Sequence, residues 1–344
     1  MSTNDTRKSQ LLSLKLRALV RDHLGRSTDD GIVPAVFARG AAVIESDVAW
    51  VLVEQQAERG LGPALLWALK EGTSGLNVLA ESGTGTLARQ AAYFDFPTEV
   101  WHVHERTLVP AVAEPFLDER QPTAEHAVFV SLIAEGGATP VVEHGIVAGE
   151  VMGLEVCRAV DDPVTGAARL EVGMGAHDRE AFAMLHGNKP TVEALADVVD
   201  NVKRHRCQGA LPHPFNRIAP ERMLRALILD TPALVGASSL VACDPPTRRT
   251  NVLDTVPCVA RGVSIDGGDI VVVVTSGADP DIVPYALDAR AFVDLRHGSE
   301  SELRIAMPAG HVTPTNRRAL GVARGAATFV ELDNPFDMSA VSPS

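Results

Sequence analysis

The stretch LEVCRAVDDPVTGAARLEVGM, residues 154–174, predicts a β-hairpin in the middle of the chain. Its apolar residues alternate along both strands: Leu154, Val156, Val160, Leu170, Val172 and Met174. Residues of matching phase on antiparallel strands share a face, so we expect these six side chains to be buried together. The opposite face then carries two carboxylates among small side chains: Glu155, Cys157, Ala159, Glu171, Gly173 and Gly175.

Helices and strands are predicted on both sides of this hairpin. Towards the N-terminus we predict a helix, three strands, a helix, a strand, a helix and a strand, at 11–24, 32–37, 41–44, 48–53, 61–70, 76–80, 86–94 and 98–103. Towards the C-terminus we predict a helix, two strands, a helix, a strand, a helix and a strand, at 221–230, 257–264, 269–275, 282–295, 303–306, 315–324 and 327–332. We therefore predict an α/β fold with mixed sheets, in which two similar modules are joined by a hairpin-and-helix segment.

The chain of 344 residues is long for a single core, and we divide it into four parts. These are an N-terminal α/β module at 1–112, a central segment at 113–215, a C-terminal α/β module at 216–335 and a flexible tail at 336–344. Residue identity between the two modules is low, so an internal duplication is a hypothesis based on element order. The alternative is that two parts of one α/β sheet look alike.

Composition indicates the class of protein and its compartment. The net charge of −13 argues against a surface that surrounds nucleic acid or lies on an anionic membrane. The four cysteines lack metal-ligand spacing, and no stretch of 18 apolar residues exists. Arginine greatly outnumbers lysine, as in proteins from GC-rich bacterial genomes. We expect a cytoplasmic bacterial protein with reduced cysteines and no membrane span.

The two hairpin acids are the first candidate site. Two neighbouring carboxylates either bind a divalent cation or repel each other, which raises one pKa. We predict that Glu155 and Glu171 act as catalytic acids and bind Mg²⁺ or Mn²⁺, with Asp178 at the start of the next helix as a third ligand. The alternative is a hairpin face that is simply solvated.

A helix, an acid-bearing hairpin and a second helix over residues 125–205 resemble the core of the restriction-endonuclease-like, or PD-(D/E)XK, nucleases. The resemblance implies that Glu155 matches the first metal-binding acid of that family. It also implies that Glu171-Val172-Gly173 matches the acid-x-Lys motif on the next strand. Because Gly173 stands where the family has its lysine, the resemblance implies a site that binds phosphate without cleaving it.

A glycine-rich turn is the second candidate site. Gly83-Thr84-Gly85-Thr86-Leu87-Ala88 follows a predicted strand and opens a helix, with Glu105 twenty residues after Gly85. This pattern is similar to the dinucleotide fingerprint, in which backbone N–H groups hold the phosphates. We predict Gly83 and Gly85 as cofactor-binding residues. Glu81 beside the phosphate position is unfavourable, and the alternative is a plain turn with a helix cap.

The third candidate site is a basic stretch at 203–225, where six basic residues face a single acid, Glu221. Such a local contrast in an acidic protein attracts phosphate-bearing ligands. We predict phosphate contacts from Arg204, Arg206, Arg217 and Arg222. The alternative is an arginine-rich helix end followed by a loop with internal ion pairs. A fourth stretch, 276–281, follows a predicted strand, at the end of a sheet where α/β proteins bind ligands, and the alternative is that it only caps the helix that follows it.

Three functions follow from these candidate sites, and the sequence leaves open whether the protein is an enzyme. The first is a phosphate-ligand protein of nuclease-like character that binds a nucleic acid or nucleotide, with a divalent metal. The second is a non-catalytic scaffold or regulatory protein that acts through protein contacts and forms a homo-oligomer. The third is a dinucleotide-binding protein.

Overall fold

The computed structural model describes residues 3–174, 179, 191–207, 210–211, 213–248 and 256–333. The helices are α1 (Thr3–His23), α2 (Leu61–Glu71), α3 (Thr84–Ala91), α4 (Ala124–Ala127), α5 (Phe129–Glu135), α6 (Thr191–His205), α7 (Pro220–Asp230), α8 (Ile282–His297) and α9 (Pro314–Leu320). The strands are β1 (Ile32–Ala35), β2 (Gly40–Glu45), β3 (Val48–Val53), β4 (Gly75–Ala80), β5 (Thr98–His104), β6 (Thr107–Pro110), β7 (Thr139–Glu143), β8 (Ile146–Val151), β9 (Leu154–Asp161), β10 (Ala168–Val172), β11 (Ala237–Cys243), β12 (Cys258–Ser264), β13 (Asp269–Val274), β14 (Glu302–Pro308) and β15 (Ala327–Leu332).

The first sheet contains six strands in the order β1-β2-β3-β4-β5-β6. Strands β1, β2 and β3 form an antiparallel meander, while β3, β4 and β5 run parallel. Parallel neighbours need a crossover connection, and α2 and α3 provide the two crossovers. Helix α1 buries Leu16, Leu19 and Val20 in a core that includes Trp50 and Leu52.

The C-terminal sheet repeats the topology of the first five strands, β1 to β5. Its order is β11-β12-β13-β14-β15, with two antiparallel pairs followed by two parallel pairs. Helix α7 precedes the meander, as α1 does in the first sheet, and α8 and α9 are the crossovers. The prediction of two similar α/β modules with mixed sheets is therefore confirmed.

Strand β11 lies where the sequence analysis predicted no strand. Its residues, Ala237 to Cys243, include two serines, and only Ala237 and Leu240 are buried. Ser238 donates its hydroxyl to the backbone carbonyl of Val263 on β12. Such a sequence has little apolar alternation, so the strand depends on its pairing with β12, whose register shifts between Ala237 and Ser239.

The central segment folds into a four-stranded antiparallel sheet, in the order β10-β9-β8-β7. The predicted hairpin is confirmed as β9 and β10, and two further strands extend it. One face of this sheet packs against α5 and α6, which contribute Ile133, Leu195, Val199 and Val202 to a shared core. The other face is the one that carries the candidate acids.

A β-bulge in β9 changes which residues of the hairpin face the core. Along β8 and β9, Gly149 pairs with Cys157 but Glu150 pairs with Glu155, so β9 has one extra residue. The expectation that Cys157 and Ala159 lie beside the acids is therefore wrong, since both are buried in the core. Gly149 is needed at the bulge because a Cβ there would lie 2.5 Å from the Cys157 sulfur.

The chain divides into two compact units. The first comprises 1–116, 279–291 and 313–326, and the second comprises 117–278, 292–312 and the residues from 327 onward. Each of the three sheets falls within one of the predicted segments 1–112, 113–215 and 216–335. The exact segment boundaries stay a prediction, and the predicted tail at 336–344 lies outside the described residues. In the described part of the chain, no helix combines the length and apolar character needed to cross a membrane.

Candidate functional site

Four glutamates share the face of the central sheet that is turned away from its core, which we call the acid face. Opposite residues on antiparallel strands point to the same side. The register pairs Glu143 with Ile146, Glu150 with Glu155, and Glu171 with Arg158. Ala148 also pairs with Arg158, so β7, β8, β9 and β10 each present a carboxylate on this face.

Glu155 and Glu171, the predicted catalytic and metal-binding acids, both lie on the acid face and are joined through Arg179. The Arg179 Nη1 donates to Glu155 Oε1 at 3.2 Å, and its Nε donates to Glu171 Oε2 at 3.2 Å. The bulge produces the shared face, because without it the strand register would place the two acids on opposite sides. Asp178, the predicted third ligand, lies outside the described residues.

Arg158 binds the same Glu155 carboxylate through two hydrogen bonds. Its Nε lies 2.8 Å from Oε1 and its Nη2 lies 2.7 Å from Oε2. Glu155 is therefore held by two guanidinium groups. Within the described ranges, no three His, Cys, Asp or Glu side chains cluster as a metal centre would require. The metal site stays a prediction.

The other two acids, Glu143 and Glu150, form a buried quartet with Arg222 and Arg225, which we call the Glu–Arg quartet. Both arginines lie on α7, three residues apart and therefore on one side of the helix. Arg222 donates to both carboxylates, and Arg225 donates to Glu143 while its Nη2 lies 3.6 Å from Glu150 Oε2. Arg225 is only 1% exposed. Buried charges of this kind are stable only when they are paired.

The pKa of Glu143 reports the strength of this pairing. Burial by itself would raise the pKa of this carboxyl, but Arg225 and Arg222 outweigh burial and lower it to about 2. The carboxylate is therefore ionised over the whole physiological range of pH. The four acids of the acid face are matched by the guanidinium groups of Arg158, Arg179, Arg222 and Arg225, so these charges balance.

A pocket of about 60 Å³ lies over the acid face, and we call it the acid-face pocket. The charge-balanced glutamates and arginines of the acid face form its floor. Its walls combine the apolar side chains of Val141, Ile146 and Ala148 with the polar groups of His144 and Arg248. Arg248 is exposed and has no ion-pair partner within the described part of the chain. It therefore adds a positive charge that the floor does not compensate.

His144 lies in the turn between β7 and β8, where it has a left-handed backbone with φ of 49° and precedes Gly145. Its backbone N–H donates to Asp244 Oδ1 at 2.8 Å, and Asp244 also accepts from Arg296. The imidazole is 94% buried, and its Nδ1 lies 3.6 Å from Asp244 Oδ2, so neither ring nitrogen makes a hydrogen bond among the described residues. Because Nδ1 lies near the Asp244 carboxylate, Nε2 is the ring nitrogen that lacks a polar contact among the described residues, and a ligand in the pocket that His144 lines could supply one.

The protonation state of His144 follows from its surroundings. Burial is the largest effect and lowers the pKa of the imidazole, and the charge of Arg248 lowers it further, while Asp244 acts in the opposite direction. The ring is therefore neutral at neutral pH, with one N–H to donate and one nitrogen to accept.

The predicted phosphate-binding arginines do not form one patch. Arg206 is completely buried and donates to the carbonyl oxygens of Met152, Phe215 and Ile218, so its hydrogen-bonding capacity is used inside the protein. Of the other three, Arg222 belongs to the Glu–Arg quartet and lines the acid-face pocket. Arg204 and Arg217 are exposed and do not line this pocket.

The glycine-rich turn is occupied by the chain's own carboxylate. Gly83 caps α3 with φ of 64°, and the Thr86 hydroxyl donates to Glu114. A Cβ at Gly85 would lie 2.8 Å from the Glu114 Cβ, so the Glu114 side chain fills the space that a phosphate would need. Dinucleotide binding at Gly83 and Gly85 stays a prediction.

Comparison with protein-family models, with curated proteins and with solved structures finds no match for this chain. A function for the candidate site can therefore be inferred only from the geometry of the site itself. The sequence analysis above assigned none of Glu143, His144, Glu150 and Arg248 to a candidate site. The run VVEHGIVAGEV at 141–151 held a usable signal, since two apolar segments around a His-Gly pair are typical of a tight hairpin.

Proposed function

We propose that this protein binds a phosphate-bearing ligand in the acid-face pocket. The observation that supports the proposal is the position of Arg248, an uncompensated guanidinium above a charge-balanced floor and beside the buried imidazole of His144. Guanidinium groups bind phosphate oxygens through charge-assisted hydrogen bonds. A phosphate there accepts hydrogen bonds from both side chains.

The charge balance of the floor favours an anion over a cation. Every carboxylate of the acid face already has at least one arginine partner, so a cation in the pocket would compete with guanidinium groups for the same oxygens. An anion needs only the surplus charge of Arg248. Arg158 also lines the pocket, with its guanidinium bound to Glu155.

Thermal unfolding in a series of inorganic phosphate concentrations tests this proposal. A ligand that binds only the native state raises the unfolding midpoint once its concentration exceeds the dissociation constant. We expect such a rise for the wild type and its loss in Arg248→Gln. Arg318→Gln is the matched control, because Arg318 is an exposed arginine on α9 outside the pocket. Equal midpoint shifts in wild type and Arg248→Gln would contradict the proposal.

A metal-dependent activity at Glu155 and Glu171 is the second candidate function. The shared face of the two carboxylates favours it, but their contacts fit a metal poorly, since a divalent cation would have to displace Arg179 from both. We therefore derive no catalytic step through a metal. Unfolding with Mg²⁺ or Mn²⁺ tests this candidate: a rise in midpoint that is lost in the Glu155→Gln/Glu171→Gln double variant would support it.

A further inference from the structure

We infer that the ligand of the acid-face pocket is a small organic phosphate monoester with a short apolar body, and that the ring N–H of His144 binds its phosphoryl group. This inference rests on the proposed phosphate site. It goes further because it excludes nucleic acid as the ligand and assigns a specific hydrogen-bond donor.

The available charge fits a single phosphate group. A nucleic acid strand places many phosphates along the protein, and its affinity depends on several free cations. Among the described residues the acid-face pocket offers the one surplus charge of Arg248, because the other guanidinium groups on this face are paired with carboxylates. The protein as a whole carries a net charge of −13, which repels a polyanion.

The walls of the pocket fit a short hydrocarbon. Val141, Ile146 and Ala148 lie on the same side of neighbouring strands β7 and β8 and line the pocket beside the polar groups. The enclosed part of the pocket, about 60 Å³, suits a single phosphate group, with a few methylene groups at its open mouth beside these side chains. Each buried methylene contributes roughly 0.8 kcal/mol, which corresponds to about a fourfold gain in affinity.

His144 supplies the donor that the pocket otherwise lacks. Its imidazole is 94% buried and makes no hydrogen bond among the described residues; Nδ1 lies 3.6 Å from Asp244 Oδ2, so the donor proposed here is an N–H at Nε2, and the residue lines the same pocket as Arg248. Around it stand Asp244, which is already engaged by the His144 backbone and by Arg296, and the charged groups Glu143 and Arg248. A phosphoryl oxygen in the pocket would satisfy the ring N–H and remove the cost of its burial.

Titration calorimetry with four probes tests the inference on the full chain: inorganic phosphate, butyl phosphate, butyrate and a single-stranded oligonucleotide. We expect butyl phosphate to bind about tenfold more tightly than inorganic phosphate and more tightly than butyrate, and the oligonucleotide to bind no better than inorganic phosphate. Tighter binding of the oligonucleotide, or equal binding of butyl phosphate and butyrate, would overturn the inference. Binding of none of the four probes would overturn the proposed function itself.

A variant of His144 tests the donor separately. His144→Gly removes the imidazole, and a Gly-Gly pair suits the left-handed turn. We expect about tenfold weaker binding of butyl phosphate, as for one lost hydrogen bond to a charged group. Unchanged affinity would overturn the role of His144. If the unliganded variant does not fold, His144→Asn gives the same test, because Asn also tolerates a left-handed backbone.

Discussion

Glu143 on β7 and Arg225 on α7 form an ion pair that is almost completely buried. Together with Glu150 and Arg222, this pair joins the central sheet to the first helix of the C-terminal module. The pair thereby fixes the floor of the acid-face pocket. Because water cannot solvate these charges, each depends on its partner.

Removal of one partner should therefore destabilise the protein strongly. We expect Arg225→Met to lower the free energy of unfolding by about 3–5 kcal/mol, because Glu143 and Glu150 lose a counter-charge in a buried site. Urea denaturation measures the change. Arg204→Met is the control, since Arg204 is exposed, and it should alter stability by less than about 0.5 kcal/mol. A similar small loss in Arg225→Met would show that water reaches the quartet.

The low pKa of Glu143 predicts a specific loss of stability in acid. A carboxyl with a pKa of 4.5 when unfolded and about 2 when folded stabilises the protein above pH 4.5. That contribution is lost as the pH falls through 2. We expect Glu143→Gln to be less stable than the wild type at pH 7 and to lose less stability than the wild type between pH 4.5 and 2. Parallel stability curves for the two proteins would contradict this assignment.

Asp281 should show the opposite dependence on pH. It is 1% exposed in the first unit, and burial, followed by the charge of Asp279, raises its pKa to about 7. A raised pKa means that stability is highest below the unfolded value of 3.8 and falls as the pH rises to 7. We expect Asp281→Asn to raise the unfolding midpoint at pH 8 and to have little effect at pH 4, because Asn also accepts the hydrogen bond from Gly62 N–H.

Asp47→Asn is the control for Asp281, since Asp47 is exposed and lies in a left-handed turn that suits Asn. It should leave the pH dependence of stability unchanged. If Asp281→Asn also left the pH dependence unchanged, Asp281 would be ionised at little cost, with Arg59 and Arg39 compensating its burial.

The bulge at Gly149 predicts sensitivity to a single methyl group. A Cβ at this position would lie 2.5 Å from Cys157 Sγ and 2.7 Å from Ile133 Cγ2, so Gly149→Ala should cost about 1–3 kcal/mol. Gly277→Ala is the control, because a Cβ there meets no atom within 4 Å. We expect Cys157→Ala to relieve part of the loss in the double variant, since it removes the closest atom. Additive losses would mean that the clash with Ile133 dominates.

The spacing of apolar residues predicted the helices and strands well, because each of these elements produces a local pattern in the sequence. The order of helices and strands predicted both α/β modules, and the alternation in 154–174 predicted the hairpin. Strand β11 was missed because two exposed serines interrupt its apolar alternation. Cys157 and Ala159 were predicted on the acid face but lie on the core face because of the bulge in β9. The bulge arises from pairing with β8, and the sequence analysis did not predict that strand.

The candidate site was less accessible to sequence reasoning. Alternation predicted that Glu155 and Glu171 share a face, and their arginine partners Arg158, Arg169 and Arg179 lie on the same hairpin or directly after it. His144 and Arg248 are 104 residues apart in sequence and meet only through tertiary structure. The basic residues around Arg206 in the sequence led to its prediction as a phosphate-binding residue. No local pattern predicts that Arg206 is buried and bound to three backbone carbonyl groups.

A crystal structure of the protein grown with inorganic phosphate tests the central claim most directly. The account predicts a phosphate in the acid-face pocket, with its oxygens within about 4 Å of the Arg248 guanidinium and a hydrogen bond from His144. A pocket without phosphate, with the anion bound instead at the exposed Arg204 or Arg217, would contradict the account.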